Sequence, residues 1–235
     1  MYDNIALILA GGSGSRIKSA SIPKQFIEIN NKPIIAYTLE TFQKHEEIDA
    51  VAVVCSEDCI NLMQKIAEIH AISKSVKIIP GGKTRQQSSY LGLSGIKEFT
   101  HDNSVVLIHD AARPLVSSNT ISQCISLTRE FGGATSATPA VDSMLKSDDG
   151  KTVRSALPRE NIYNIQTPQS FVYSLIMEAH AKAAANDELY FTDDGTLFMK
   201  YTGTALKIAE SSSINFKITS DEDIRLFKAI VNTAL

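Results

Sequence analysis

The chain reads as an α/β protein organised on a mostly parallel, twisted sheet. Three observations predict this. Short β-rich runs alternate with longer segments of helical spacing through the first 140 residues. A glycine-rich turn follows the first run directly. The fourth run, "SVVLIHD", ends on a polar cluster, and the carboxyl ends of strands are where open α/β sheets bind ligands.

Taken in order, "IALILA" is the first strand, and "DAVAVVC", "VKIIP", "SVVLIHD" and "GATSATPA" follow as strands joined by right-handed crossovers. Between them, "KPIIAYTLETFQKH" places Ile35, Tyr37, Leu39 and Phe42 on a stripe that can pack on the sheet, and "TISQCISLTREF" does so with Ile121, Ile125 and Leu127. Near residue 140 the rhythm breaks. "DSMLKSDDGKTVRSALPRENIYNIQTPQSF" has a DDG turn between two short strand-like pieces and too little apolar surface for a core, which suits a projecting β-arm at about 140–165. The α/β rhythm resumes with "VYSLIMEAHAKAAA", "GTLFMKYTG" and "ALKIAE". A final helix starts at "TSDEDIRLFKAIV", where Ser220 and Asp223 have the spacing of a capping box with Asp in place of Glu. With no tandem repeat or low-complexity linker, residues 1–235 are expected to form one domain plus the arm.

Composition narrows the function. A chain of 235 residues, 43% hydrophobic and 21% charged, is composed like an ordinary globular protein. A formal charge of −3 argues against general affinity for nucleic acid or anionic membrane, so any anion site must be local. Cys55, Cys59 and Cys124 are odd in number, and "CSEDC" lacks the second pair a zinc site needs; reduced thiols are expected, as in a cytoplasmic protein. "IALILA" follows Asp3 rather than a basic region and is too short for a signal-peptide core or a spanning helix.

The chemistry concentrates first in "LILAGGSGSRIKSASIPKQF", residues 7–26. A dinucleotide fold wants GxGxxG, but Gly12 and Gly14 are followed by Ile17 where the third glycine belongs. No GK[ST] tripeptide follows either, which removes the nucleoside-triphosphatase loop. What remains is a glycine turn whose amides can approach an anion, with Arg16 and Lys24 able to neutralise phosphate charge from two sides.

"LAGGSGSR" followed by "PKQF" resembles the nucleotidyltransferases that activate phosphorylated sugars and polyols, and "PKQF" resembles their cytidylyltransferase branch. Further matches fall in order: "GGKTRQQSSYLGL" at 81–93, "HDAARP" at 109–114, "DSMLK" at 142–146, "QTPQSF" at 166–171, "TDDG" at 192–195 and "NFKIT" at 215–219. The chain is thus similar to the polyol-phosphate cytidylyltransferases, those acting on 2-C-methyl-D-erythritol 4-phosphate or ribitol 5-phosphate. The resemblance implies a Rossmann-like nucleotidyltransferase fold, transfer from CTP with release of pyrophosphate, Mg²⁺ accompanying CTP, and a homodimer formed through the arm.

It also implies residue roles. Arg16, Lys24 and Lys217 match the family's catalytic cations, and Ala10, Gly11, Gly12 and Gly14 its glycine turn, the first three meeting the cytosine and ribose. Gly82, Arg85, Ser88 and Ala111 fall in the nucleotide-binding set; "GGKTRQQSS" opens a helix, with Arg85 and Ser88 one turn apart on one face. Asp110 would bond a ribose or polyol hydroxyl or help hold Mg²⁺. Arg113, Ser143, Arg159, Thr167 and Thr192 would meet the polyol phosphate, the arm's Arg159 from a neighbouring subunit; Ser143 stands where the family usually has Thr. The attacking phosphate is already anionic, so no general base is needed and His109 is read as structural. The eight-position spacing from Arg16 to Lys24, with "LAGG" and Tyr163, looks closer to the ribitol-phosphate members; "HDAARP", the run from Arg85 to Leu93 and "FTDD" look closer to the methylerythritol members, to which the reading leans. A nucleotide-binding module without catalysis remains the remoter alternative.

Overall fold

A computed structural model describes residues 1–12 and 22–233. Five of its sheet strands are the apolar runs of the sequence: β1 (Asn4–Leu9), β4 (Ala50–Cys55), β5 (Ser75–Pro80), β6 (Val105–Asp110) and β7 (Gly133–Pro139). A small hairpin, β2 (Glu28–Ile29) and β3 (Lys32–Pro33), turns through Asn30 and Asn31 at φ 53° and 58°, the left-handed pair that a two-residue turn requires. The remaining strands are the arm pieces β8 (Met144–Lys146) and β9 (Ser155–Leu157), then β10 (Tyr163–Val172) and β11 (Lys207–Glu210).

The seven-stranded sheet has the order β11-β7-β10-β6-β1-β4-β5. All of its neighbouring pairs are parallel except those of β10, which runs antiparallel to both β6 and β7. Side chains alternate across the pleat. On one face Ala6, Ile8, Val51, Val53 and Leu107 pack under α1 (Ile34–Lys44), α2 (Ile60–Ile69) and α4 (Ser118–Phe131). On the other, Ile5, Leu7, Val54, Val106 and Ile108 pack under α3 (Arg85–Gly95), α5 (Tyr173–Ala185) and α6 (Asp194–Thr202). Gly92 lets α3 lie close on this face: a Cβ there would come within 2.7 Å of Val54 Cγ2. A third apolar cluster joins Ile34 and Ile218 to Phe227 of α7 (Asp221–Thr233).

One expectation is revised. Tyr37 leaves the α1 stripe: its hydroxyl donates to the Ile29 carbonyl at 2.8 Å and its ring stands edge-on to Phe227. After the arm the chain joins the sheet at Tyr163, and residues 166–171 are buried in β10. Hydropathy hides this strand, since Gln166, Thr167, Gln169 and Ser170 are buried through hydrogen bonds rather than apolar contact. The capping box at α7 is fully reciprocal: Ser220 N–H donates to Asp223 Oδ2 at 2.9 Å and Asp223 N–H to Ser220 Oγ at 3.2 Å. Among the described residues, no helix is long and apolar enough to cross a membrane.

Candidate active site

The carboxyl ends of β1 and β6 stop side by side and the chain opens there into a cleft of about 320 Å³. Ala10, Gly11 and Gly12 form its floor, with Ala111, whose N–H donates to the Leu9 carbonyl at 3.0 Å, beside them. Gln25, just after Lys24, donates from Nε2 to the Ala10 carbonyl at 2.6 Å and so fixes the glycine turn from above. The start of α3 is the facing wall. Thr84 caps it by accepting from Gln87 N–H, and Ser88 Oγ accepts from Gly82 N–H at 3.0 Å while donating to the Thr84 carbonyl at 2.9 Å. Gly82, Arg85 and Ser88 therefore share one wall, as their spacing suggests.

Cations enter from three directions. Lys24 is buried and donates from Nζ to the Ile218 carbonyl at 2.8 Å. Lys217, one residue earlier in that segment, lies with Nζ 2.9 Å from Asp110 Oδ2. Arg85 reaches in from α3, held by Asp194 at 2.7 Å. Asp110 is buried, which by itself would raise its carboxyl, yet Lys217, Arg85 and Arg113 hold it well below the usual carboxylate range. Arg113 Nε stands 3.5 Å from Asp110 Oδ2, and its Nη1 donates to the Asn215 carbonyl at 2.8 Å.

His109 faces away from this charge. Burial pushes its imidazole down to about 4. Thr167 Oγ1 accepts from Asp110 N–H at 3.0 Å, so its proton goes to His109 Nδ1 at 3.1 Å; the ring then donates from Nε2 to the Arg113 carbonyl at 3.0 Å. That order leaves a neutral ring with both nitrogens engaged, in keeping with a structural role.

The cleft thus brings together Ala10, Gly11, Gly12, Lys24, Gly82, Arg85, Ser88, Asp110, Ala111 and Lys217. Arg113 and Thr167 support Asp110 from behind and do not line the cleft. Ser143 and Arg159 stand exposed on the arm, Arg159 donating to the Val141 carbonyl at 3.0 Å, and Thr192 is exposed outside the cleft. Gly14 and Arg16 lie outside the described residues. Leu9, Gln25, Lys83, Thr84, Ala112 and Thr219 also line the cleft and were not singled out from the sequence, although all six lie inside "LAGG", "PKQF", "GGKTR", "HDAARP" or "NFKIT". Among the described residues, no cluster of three or more metal-ligating side chains forms, and Asp110 is the carboxylate that lines the cleft.

The family model described as IspD, 2-C-methyl-D-erythritol 4-phosphate cytidylyltransferase, matches residues 4–233. The chain belongs to the IspD family. Relatives in that family carry two names. A ribitol-5-phosphate cytidylyltransferase of Vibrio parahaemolyticus is 39% identical over 230 residues, covering 98% of this chain and 96% of its own. A 2-C-methyl-D-erythritol 4-phosphate cytidylyltransferase of Clostridium botulinum is 40% identical over 232 residues, covering 98% of both. The solved 4-diphosphocytidyl-2C-methyl-D-erythritol synthase of Anaerococcus prevotii superposes with a TM-score of 0.83 at 29% identity, covering 98% of this chain and 96% of that one. As an IspD-family member the protein is a nucleotidyltransferase enzyme of the cytidylyltransferase class, on the α/β fold that its sequence predicts.

Proposed function

We propose that the protein joins CTP to 2-C-methyl-D-erythritol 4-phosphate, releasing pyrophosphate. The observation that carries the transfer is the convergence of Lys24, Lys217 and Arg85 on a glycine turn at the strand ends, in a cleft with a single lining carboxylate among the described residues. Two polyanions must meet there, and the cations offset their repulsion. A phosphate oxygen of the acceptor attacks the α-phosphorus of CTP, a new P–O bond forms, and the bond to the β-phosphate breaks with its electron pair leaving on pyrophosphate. Lys24 and Lys217 are assigned to the α-phosphate and the leaving group, and Arg16 to the same charge through the family resemblance of "LAGGSGSR". Gly82 and Ser88 present the α3 start to the nucleotide, with Ala10 to Gly12 against cytosine and ribose. No proton is removed from the nucleophile, which agrees with His109 being locked and neutral.

Asp110, the carboxylate that lines the cleft among the described residues, is the side chain that would hold Mg²⁺, and the ion would supply charge neutralisation for the triphosphate.

"HDAARP", the Arg85 to Leu93 run and "FTDD", with the description of the family model, support methylerythritol phosphate. The longer Arg16 to Lys24 spacing and the Vibrio relative support ribitol phosphate as the second reading. Val141, Leu145 and Val153 on the arm are 79%, 57% and 57% exposed, and a second copy of the chain covering them would bring Arg159 to a neighbouring site. The free cysteines, Cys55 and Cys124 buried, suit the reducing cytoplasm. Mass spectrometry after incubation with CTP, Mg²⁺ and each acceptor tests the reading: a CDP-polyol is expected, and CTP left intact with both acceptors overturns it.

A further inference from the structure

Arg85 is paired with a residue 109 positions away, and the pair is lopsided. The Asp194 side chain is 1% exposed, whereas that of Arg85 remains 26% open toward the cleft it lines. Burying a carboxylate is costly, and an ion pair serving packing alone is commonly replaceable by apolar side chains of similar volume without loss. Here the anion is buried and the cation end is left open to the site.

Asp194 is also unusually well placed. Its N–H and that of Gly195 donate to Gln169 Oε1 of β10 at 3.1 and 3.0 Å, so the first turn of α6 is fixed to the central sheet. Its second carboxylate oxygen faces His180 Nε2 at 3.8 Å, a buried nitrogen with no hydrogen-bond partner among the described residues. Next to Arg85, Gln86 donates to the Glu188 carbonyl at 2.8 Å and accepts from Phe191 N–H at 2.9 Å. The first turn of α3, one wall of the cleft, is thereby tied twice to the segment leading into α6. On its other side Arg85 lies within electrostatic reach of Asp110.

We infer that Asp194 is a positioning residue for the nucleotide: it holds the Arg85 guanidinium back against α6, facing the triphosphate, where otherwise it would turn onto Asp110. This rests on the reading of the cleft as a CTP site. Without Asp194, Arg85 neutralises the carboxylate of the cleft and withdraws a donor from CTP, so nucleotide affinity falls while acceptor affinity holds.

The test is steady-state kinetics on the full-length enzyme with CTP and acceptor varied separately, for Asp194→Asn, Arg85→Met and the double variant. Asp194→Asn is expected to raise KM for CTP about tenfold, with KM for the acceptor within about twofold. In the Arg85→Met background, adding Asp194→Asn is expected to change KM for CTP by less than about twofold, because the residue acts through Arg85. Unchanged KM for CTP in Asp194→Asn, or effects that multiply in the double variant, overturn the inference. If Asp194→Asn does not fold, Asp194→Glu takes its place, moving the anion without removing it: a raised KM for CTP with unchanged KM for the acceptor supports the inference, and an unchanged KM for CTP overturns it. A wild-type enzyme inert toward CTP would instead sink the CTP reading.

Discussion

Lys217→Met separates charge stabilisation from folding. The lysine Nζ lies 2.9 Å from Asp110 Oδ2, but its side chain is 35% exposed, so solvent screens the pair and its removal costs at most about 1 kcal/mol of stability. Asp110 also keeps Arg113 at 3.5 Å, so no buried charge is stranded. In a domain of this size that loss lowers Tm by about 2–4 °C. In the transition state the same ammonium faces charge building on the phosphates, and losing one such donor costs about 3 kcal/mol, or roughly a hundredfold in kcat. Pyrophosphate release at saturating substrates, with thermal unfolding of the same samples, measures both. A kcat within about threefold of wild type would refute the assigned role, and a Tm loss above about 10 °C would show that the side chain serves the fold instead.

His109 gives a pH signature. It is fully buried with its imidazole pushed down to about 4, so below the unfolded value of about 6.5 the unfolded chain takes up a proton that the folded one refuses. Stability should therefore fall by about 3 kcal/mol as pH drops from about 6.5 to 4, read as the urea midpoint; a flat profile from pH 7 to 5 would contradict a buried neutral ring. Gly92→Ala would bring a Cβ to 2.7 Å from Val54 Cγ2 and 2.9 Å from Leu7 Cδ2, and a cost of about 1–3 kcal/mol is expected in urea titration. On the arm, Leu145→Asp is expected to turn a dimer into a monomer in sedimentation with unchanged circular dichroism; a wild-type monomer would remove the arm's proposed role.

Much of the sheet was legible because β1, β4 and β6 carry continuous apolar runs buried on both faces as central parallel strands are, while β5 at the sheet edge, with only Ile79 buried, still shows a short apolar run. β10 was not: Gln166, Thr167, Gln169 and Ser170 are buried at positions where only partners distant in sequence make burial tolerable. The cleft divides the same way. Lys24 follows a glycine turn whose residue types point to phosphate chemistry, Asp110 ends an apolar strand, and Lys217 is marked by the family resemblance of "NFKIT"; the fold brings the three together. Asn215, buried and donating to Gln166 Oε1 and the Thr167 carbonyl, and the Arg85 to Asp194 pair are relations between segments, which no local spacing encodes.

Cytidylyl transfer to methylerythritol phosphate is open to direct measurement. One competition measures it: equimolar 2-C-methyl-D-erythritol 4-phosphate and ribitol 5-phosphate with limiting CTP and Mg²⁺, the products resolved by mass. The CDP-methylerythritol product is expected to dominate early in the reaction, its excess reporting the ratio of kcat/KM for the two acceptors. A dominant CDP-ribitol would overturn the acceptor, and no CDP-polyol at all would contradict the chemistry assigned to the cleft.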